Sequence, residues 1–264
     1  MNNREAGDTL RPAVQRIVRP VPVDDPALRL LLFHHAGGSH IAYRDWVRHF
    51  PADWEICLFE APGRGRLHRQ PLLPTVDGLV RWTLQPGSGV RPLLDRPFAV
   101  FGHSLGAMAA YEFTRLLAAE GLPEPRWLGI SAARPPHAGP AAVTRRSHLP
   151  PSGLKAALLK MGGTSQAVLD EPELWSLFEP VLRNDFRAAE EWAPDTGLPR
   201  LTVPVSVYGG LSDPAVGTEL LDGWAEWTEP WLGSTLFPGE HFYFLPDPRP
   251  LVDRIVAAVR EVTG

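Results

Sequence analysis

Short apolar runs bounded by turn residues alternate along this chain with longer stretches of helical periodicity. Leu28 to Phe33, Glu55 to Phe59, Phe98 to Phe101, Trp127 to Ser131, Val203 to Tyr208 and Thr235 to Phe237 read as strands. Their near-continuous apolar character is that of strands buried on both faces. Strand and helix signals in alternation predict βαβ units, and so an α/β fold with a mostly parallel central sheet flanked by helices. Each predicted strand runs into a loop: HHAGGSH (34 to 40), EAPGRGR (60 to 66), GHSLG (102 to 106), SAARPPH (131 to 137), GGLSDPAV (209 to 216) and PGEHFYF (238 to 244). In open α/β sheets ligands bind beyond the carboxyl ends of the strands, so these loops should meet on one rim.

One interval breaks the alternation. About 70 residues separate Ser131 from Val203, far more than the dozen a crossover needs. Within it, Leu154 to Met161 reads as a short helix ended by Gly162-Gly163. Leu174, Leu177, Phe178, Val181, Leu182 and Phe186 recur at helical spacing, with Pro180 expected to kink or divide the helix. This insertion is read as a lid whose apolar stripe roofs a site, in preference to a helical pair packed passively on the core.

Composition narrows the class. A length of 264 residues suits one large domain carrying an insertion, 1–264, with residues 1–20 expected to be a flexible N-terminus. The formal net charge of −4 argues against a nucleic-acid partner. No stretch approaches the length of a membrane span. The opening MNNREAGDTLRPAVQRIVRP carries charges throughout and lacks the apolar core of a secretory signal, so a cytoplasmic location is expected. A single cysteine, Cys57, excludes an internal disulfide, and no histidine or cysteine spacing suggests a metal.

The chemistry concentrates in G-H-S-L-G. Alone the match is weak in a glycine-rich chain, but a buried strand precedes Ser104 and a run of helix formers from Ala107 to Ala119 follows it, with Gly121 as its stop. That is the setting of a nucleophile elbow. A serine hydroxyl needs a base, and the base needs an orienting acid, in the chain order serine, acid, histidine. Of His137, His148 and His241, the histidines after Ser104, only His241 follows a predicted strand with room for an acid before it. Asp213, just beyond the strand ending at Tyr208, is the acid on the same rim. Asp185 and Asp195 lie in the insertion and Asp222 in the following helix, where a solvated carboxylate needs no special role. Glu240, beside the base, is expected to be solvated. The amide of Leu105 and an amide of the 34–39 loop are the expected oxyanion donors.

Taken together, HAGGS (35 to 39), APGRGR (61 to 66), RPLLDRPFAVFGHSLGA (91 to 107), MGGTSQAVLDEPELWSLFEPVLRNDFRAAEEW (161 to 192), GGLSDPAV and FPGEHFYF (237 to 244) resemble the type II thioesterases. These are stand-alone α/β-hydrolases that accompany polyketide synthases and nonribosomal peptide synthetases. The resemblance implies the α/β-hydrolase fold, a Ser104, Asp213, His241 triad, an oxyanion hole of the Ala36 and Leu105 amides, and a lid at 134–194. It implies no cofactor of the protein's own, since the acyl group is borne on the phosphopantetheine of an acyl or peptidyl carrier protein, and an editing role. A monomer is expected. Arg64, Arg66 and Arg69 are candidates for docking an acidic carrier, the alternative being a solvated surface or an internal anchor. His34, Glu240 and the Gln85-Pro86-Gly87-Ser88-Gly89 break depart from the family pattern outside the triad. Competing readings are a general carboxylesterase, an acyltransferase and a noncatalytic carrier-binding protein.

Overall fold

The computed structural model describes residues 16–138, 145–194 and 199–264. Seven strands form one sheet: β1 (Ile17–Val18), β2 (Leu28–Phe33), β3 (Trp54–Phe59), β4 (Phe98–His103), β5 (Leu128–Ser131), β6 (Val205–Gly210) and β7 (Trp231–Phe237). Their spatial order is β1-β3-β2-β4-β5-β6-β7, with every pairing parallel except β1 against β3. Strands β2 to β6 are buried along their whole length, which is why they read as unbroken apolar runs.

Two apolar layers cover the two sheet faces. One packs α1 (Val76–Leu84) and α2 (Leu105–Ala119) against Phe33, Val100 and Val207. The other packs a 3₁₀ segment (His40–His49) and the C-terminal helix against Leu30, Phe101 and Tyr208. Helix α2 stops as its sequence suggests: Gly121 takes φ +64°, its N–H reaches Ala118 O, and the N–H of Leu122 reaches Leu117 O.

Several expectations are corrected. Of the N-terminal segment, residues 1–15 lie outside the described residues, but Ile17 and Val18 are an edge strand paired with Leu58 and Phe59. The strand expected at Val203 to Tyr208 begins two residues later, because Pro204 has no N–H for the ladder, and it runs through Gly209-Gly210. Glycine is required there, since a Cβ on Gly210 would lie 2.1 Å from Glu240 O, in the loop after β7. The insertion forms α3 (Pro151–Met161), α4 (Gln166–Asp170) and α5 (Pro172–Glu190). Pro180 does not divide α5: the carbonyl it leaves free belongs to Ser176, which, like Pro180, is exposed and can be solvated.

The order of strands reverses beside β2, whose chain neighbours β3 and β4 lie on its opposite sides. The loops after β2 and β4 diverge there, and the crevice between them is the ligand position of an open α/β sheet.

Candidate active site

Ser104 stands between β4 and α2 with φ 56° and ψ −119°, a conformation side-chain-bearing residues rarely adopt. Two close approaches enforce the turn. A Cβ on Gly102 would meet Gly106 O at 2.0 Å, and one on Gly106 would meet Phe33 O at 2.1 Å. The backbone N–H of Ser104 is fixed to Ser131 O at 2.8 Å. Leu105 is the first residue of α2, so its amide has no carbonyl one helical turn earlier to bond.

His241 follows β7 and is buried. Its Nδ1 lies 2.8 Å from Asp213 Oδ2, and both side chains are almost wholly withdrawn from solvent. Asp213 Oδ1 accepts from the N–H groups of Ala215 (2.7 Å) and Val216 (3.2 Å), so the carboxylate is held at both oxygens. A carboxylate at Nδ1 selects the tautomer with its proton there and leaves a lone pair on Nε2. That Nε2 is buried and has no hydrogen-bond partner among the described residues. Ser104 and His241 line one cavity of about 100 Å³, together with Ala36, Met108, Met161 and Phe186.

The loop after β2 is anchored from two sides. Burial, with the Arg64 charge, lowers the His34 pKa to about 3, so the ring is neutral; its Nε2 accepts from the N–H of Ala61 (3.3 Å) while Nδ1 donates to His35 O (2.9 Å). The second anchor comes from the insertion. Asp185 of α5 accepts the N–H of Gly37 at 2.8 Å and a two-point bond from Arg64, at 2.5 and 2.9 Å, and Arg64 also donates to Gly38 O at 3.1 Å. Burial pushes the Asp185 carboxyl up, but the Arg64 charge and the hydrogen bonds outweigh it and hold its pKa below the ordinary value. Gly37 takes φ +72°, and a Cβ there would strike Leu182 at 2.6 Å.

Two sequence readings change accordingly. Asp185 is a buried anchor of the loop after β2 and not a solvated carboxylate, and Arg64, also buried, is its partner, the internal anchor of the two alternatives. Arg66 and Arg69 are exposed, but Arg66 lines a depression with Arg19, Pro22 and Arg29 at the β1 edge, away from the cavity. Glu240 and Asp222 are exposed as expected, His137 accepts from Trp227 Nε1 (2.9 Å), and Asp195 lies outside the described residues.

Sequence reasoning also passed over His103. It is fully buried with Nδ1 2.8 Å from Ser131 Oγ, which in turn lies 2.7 Å from Tyr243 OH, and its ring centre is 4.9 Å from that of His241. Burial, reinforced by the neighbouring His241 and His35, drives its pKa well below the ordinary range. The ring beside His241 is therefore neutral. The signal was its place inside the elbow motif, immediately before the serine.

A strained serine between strand and helix, a histidine and carboxylate hydrogen-bonded on the same rim, and a parallel sheet beneath them are the parts of a serine hydrolase of the α/β-hydrolase fold. The family model described as a thioesterase domain matches residues 28–259, and the chain belongs to that thioesterase family. Within it the chain is a serine thioester hydrolase of the type II group. It is 30% identical to YbtT, the type II thioesterase of the yersiniabactin NRPS/PKS pathway, over 94% of this chain and 100% of that one, with a TM-score of 0.83. The type II thioesterase BorB of the borrelidin cluster is 28% identical, with a TM-score of 0.80 over 92% and 97% of the two chains. The gramicidin S biosynthesis protein GrsT of Aneurinibacillus migulanus is 28% identical over 89% of this chain and 90% of its own length.

Proposed function

We propose that the protein hydrolyses acyl thioesters carried on the phosphopantetheine arm of carrier proteins, and so clears stalled or misprimed groups from a polyketide or nonribosomal peptide assembly line. The observation that carries the mechanism is the Asp213–His241 hydrogen bond, which leaves the His241 Nε2 lone pair buried in the cavity that Ser104 lines. The similarity to type II thioesterases of biosynthetic pathways supports the choice of substrate.

In this reading His241 Nε2 takes the Ser104 proton as Oγ attacks the thioester carbonyl. The amides of Ala36 and Leu105 receive the negative oxygen, with the α2 dipole adding to the second. Collapse breaks the C–S bond, and His241 returns its proton to the leaving sulfur. A water molecule then gives a proton to His241 and attacks the acyl-serine ester. The second collapse releases the acid and restores the Ser104 hydroxyl. Asp213 holds the ring and stabilises its charged form throughout. The insertion at 134–194 acts as a lid, with Met161 and Phe186 as its contribution to the cavity wall.

The test is release of free acid from a panel of acyl-loaded carrier proteins, followed by intact-protein mass spectrometry with wild type and Ser104→Ala side by side. Wild type should strip the carriers and the variant should lose the activity by orders of magnitude. Carriers left unchanged by both proteins would refute carrier-thioester hydrolysis.

A further inference from the structure

The cavity beside Ser104 is not a purely apolar acyl pocket. Arg134, Arg145 and Arg146 line it, together with Glu190. Glu190 is already engaged, its oxygens accepting from the N–H of Arg146 (2.6 Å) and the N–H and Oγ of Ser147 (2.5 Å to Oγ). The guanidinium of Arg146 lies 5.9 Å over the Phe186 ring, itself part of the cavity wall. Arg134 is half-buried and makes no hydrogen bond or ion pair among the described residues. Arg134 lines the cavity with Arg146 and Glu190 as charged neighbours, and partial burial strips some of the water from its guanidinium. The charged groups facing that space are three arginines and one carboxylate, Glu190, which is hydrogen-bonded to Arg146 N and Ser147 and whose charge offsets only part of the arginines'.

We infer that Arg134 and Arg146 form an anion subsite for a carboxylate at the far end of the acyl group, so that ω-carboxyacyl thioesters are a preferred substrate class. The inference rests on the thioesterase reading and deepens it. An anion could arrive from two parts of the substrate, the acyl chain or the phosphate of the arm. Ser104 and the arginines line the same cavity. A group reaching the arginines from an acyl-serine has a few bonds to span, whereas the phosphate lies a whole pantetheine length from the sulfur. Reach from Ser104 therefore favours the carboxylate. Arginine suits the role because its planar fork meets both carboxylate oxygens and stays charged when partly desolvated.

The test compares succinyl and 4-oxopentanoyl thioesters, which match in length and shape and differ in the terminal charge, both as N-acetylcysteamine thioesters without a phosphate and on a carrier protein. The readout is the ratio of their kcat/KM values in one protein sample, which a partly unfolded variant does not distort. Wild type should favour succinyl by about ten-fold or more. Arg134→Met should bring the ratio down toward one, Arg146→Met should lower it less, and Arg134→Glu should invert it. A wild-type ratio at or below one, or a ratio unmoved by Arg134→Met and Arg134→Glu, overturns the inference and leaves the thioesterase reading intact. An arginine dependence seen only with the phosphopantetheine-bound substrates, and equal for both acyl groups, assigns the subsite to the phosphate and overturns it as well. No Ser104-dependent release from any thioester refutes the thioesterase reading itself.

Discussion

Replacing Asp185 by Asn tests whether the insertion holds the oxyanion loop in shape. The side chains of Asp185 and Arg64 are 5% and 9% exposed, and Asp185 serves Arg64 and the Gly37 amide at once. Removing one charge from a buried pair leaves the other uncompensated, at a cost of about 3–5 kcal/mol. At about 2–4 °C per kcal/mol for a domain of this size, the melting temperature should fall by roughly 6–20 °C. The kinetic effect is separable. Deleting an oxyanion donor outright costs about 10²–10³ in kcat, and loosening the loop that carries one should cost roughly ten- to a hundred-fold, with KM little changed because the contact matters in the transition state. The double variant Arg64→Met with Asp185→Leu separates the two effects. Apolar replacement of a buried pair is often neutral for stability, so its melting temperature should recover while kcat stays low, the Gly37 and Gly38 anchors being gone. Steady-state kinetics well below each melting temperature give the answer. An Asp185→Asn protein with kcat within twofold of wild type would refute the coupling. Since the Asp185 pKa is depressed in the fold, the pair's contribution is complete above about pH 4 and is lost as the pH falls through the folded value.

Asp213→Asn should reduce kcat by about 10⁴-fold through loss of the correct His241 tautomer, with far-UV circular dichroism unchanged. Gly102→Ala, whose new Cβ would sit 2.0 Å from a backbone oxygen, should prevent the elbow from forming and yield insoluble or unfolded protein on expression. His34 and His103 are buried and neutral with lowered pKa values, so unfolding lets them bind protons below about pH 6.5; each should withdraw on the order of 1 kcal/mol by about pH 5.5, measured as a falling denaturation midpoint that flattens when His103 is replaced by Asn. Burial raises the Cys57 thiol to about 12, so a thiol reagent at neutral pH should modify it only at the rate of unfolding.

What the sequence discloses follows from how each feature is encoded. Strands β2 to β6 are buried on both faces, so their apolar runs stand out without reference to partners. Ser104, Asp213 and His241 were legible because each follows a strand, and parallel strands deliver their carboxyl ends to one rim. Arg64 and Asp185 lie 121 residues apart in sequence, and each alone is an ordinary charged residue. Only the position of Asp185 on the apolar stripe, three residues after Leu182 and beside Phe186, hinted that it faces inward. Pro180 left the helix undivided because the carbonyl it frees, on Ser176, faces water, and that exposure is not written in the residue types alone. The two-residue strand β1 is too short to leave a periodic signature. Arg134 was hidden for another reason: a basic residue in a loop looks the same in sequence whether it points outward or into a cavity.

The bond between α5 and the Gly37 amide has a consequence for exchanging parts between relatives. The catalytic floor, set by the strand ends, and the roof, set by the insertion, are modules by eye, and grafting a foreign insertion is the obvious route to a new acyl preference. They share a fastener. A donor segment without an acid at position 185, or a recipient without arginine at position 64, would arrive with the roof in place and the loop after β2 unmoored. Chimeras should therefore carry both residues as one heritable unit, and swaps that part them should be inactive whatever pocket they were designed to build.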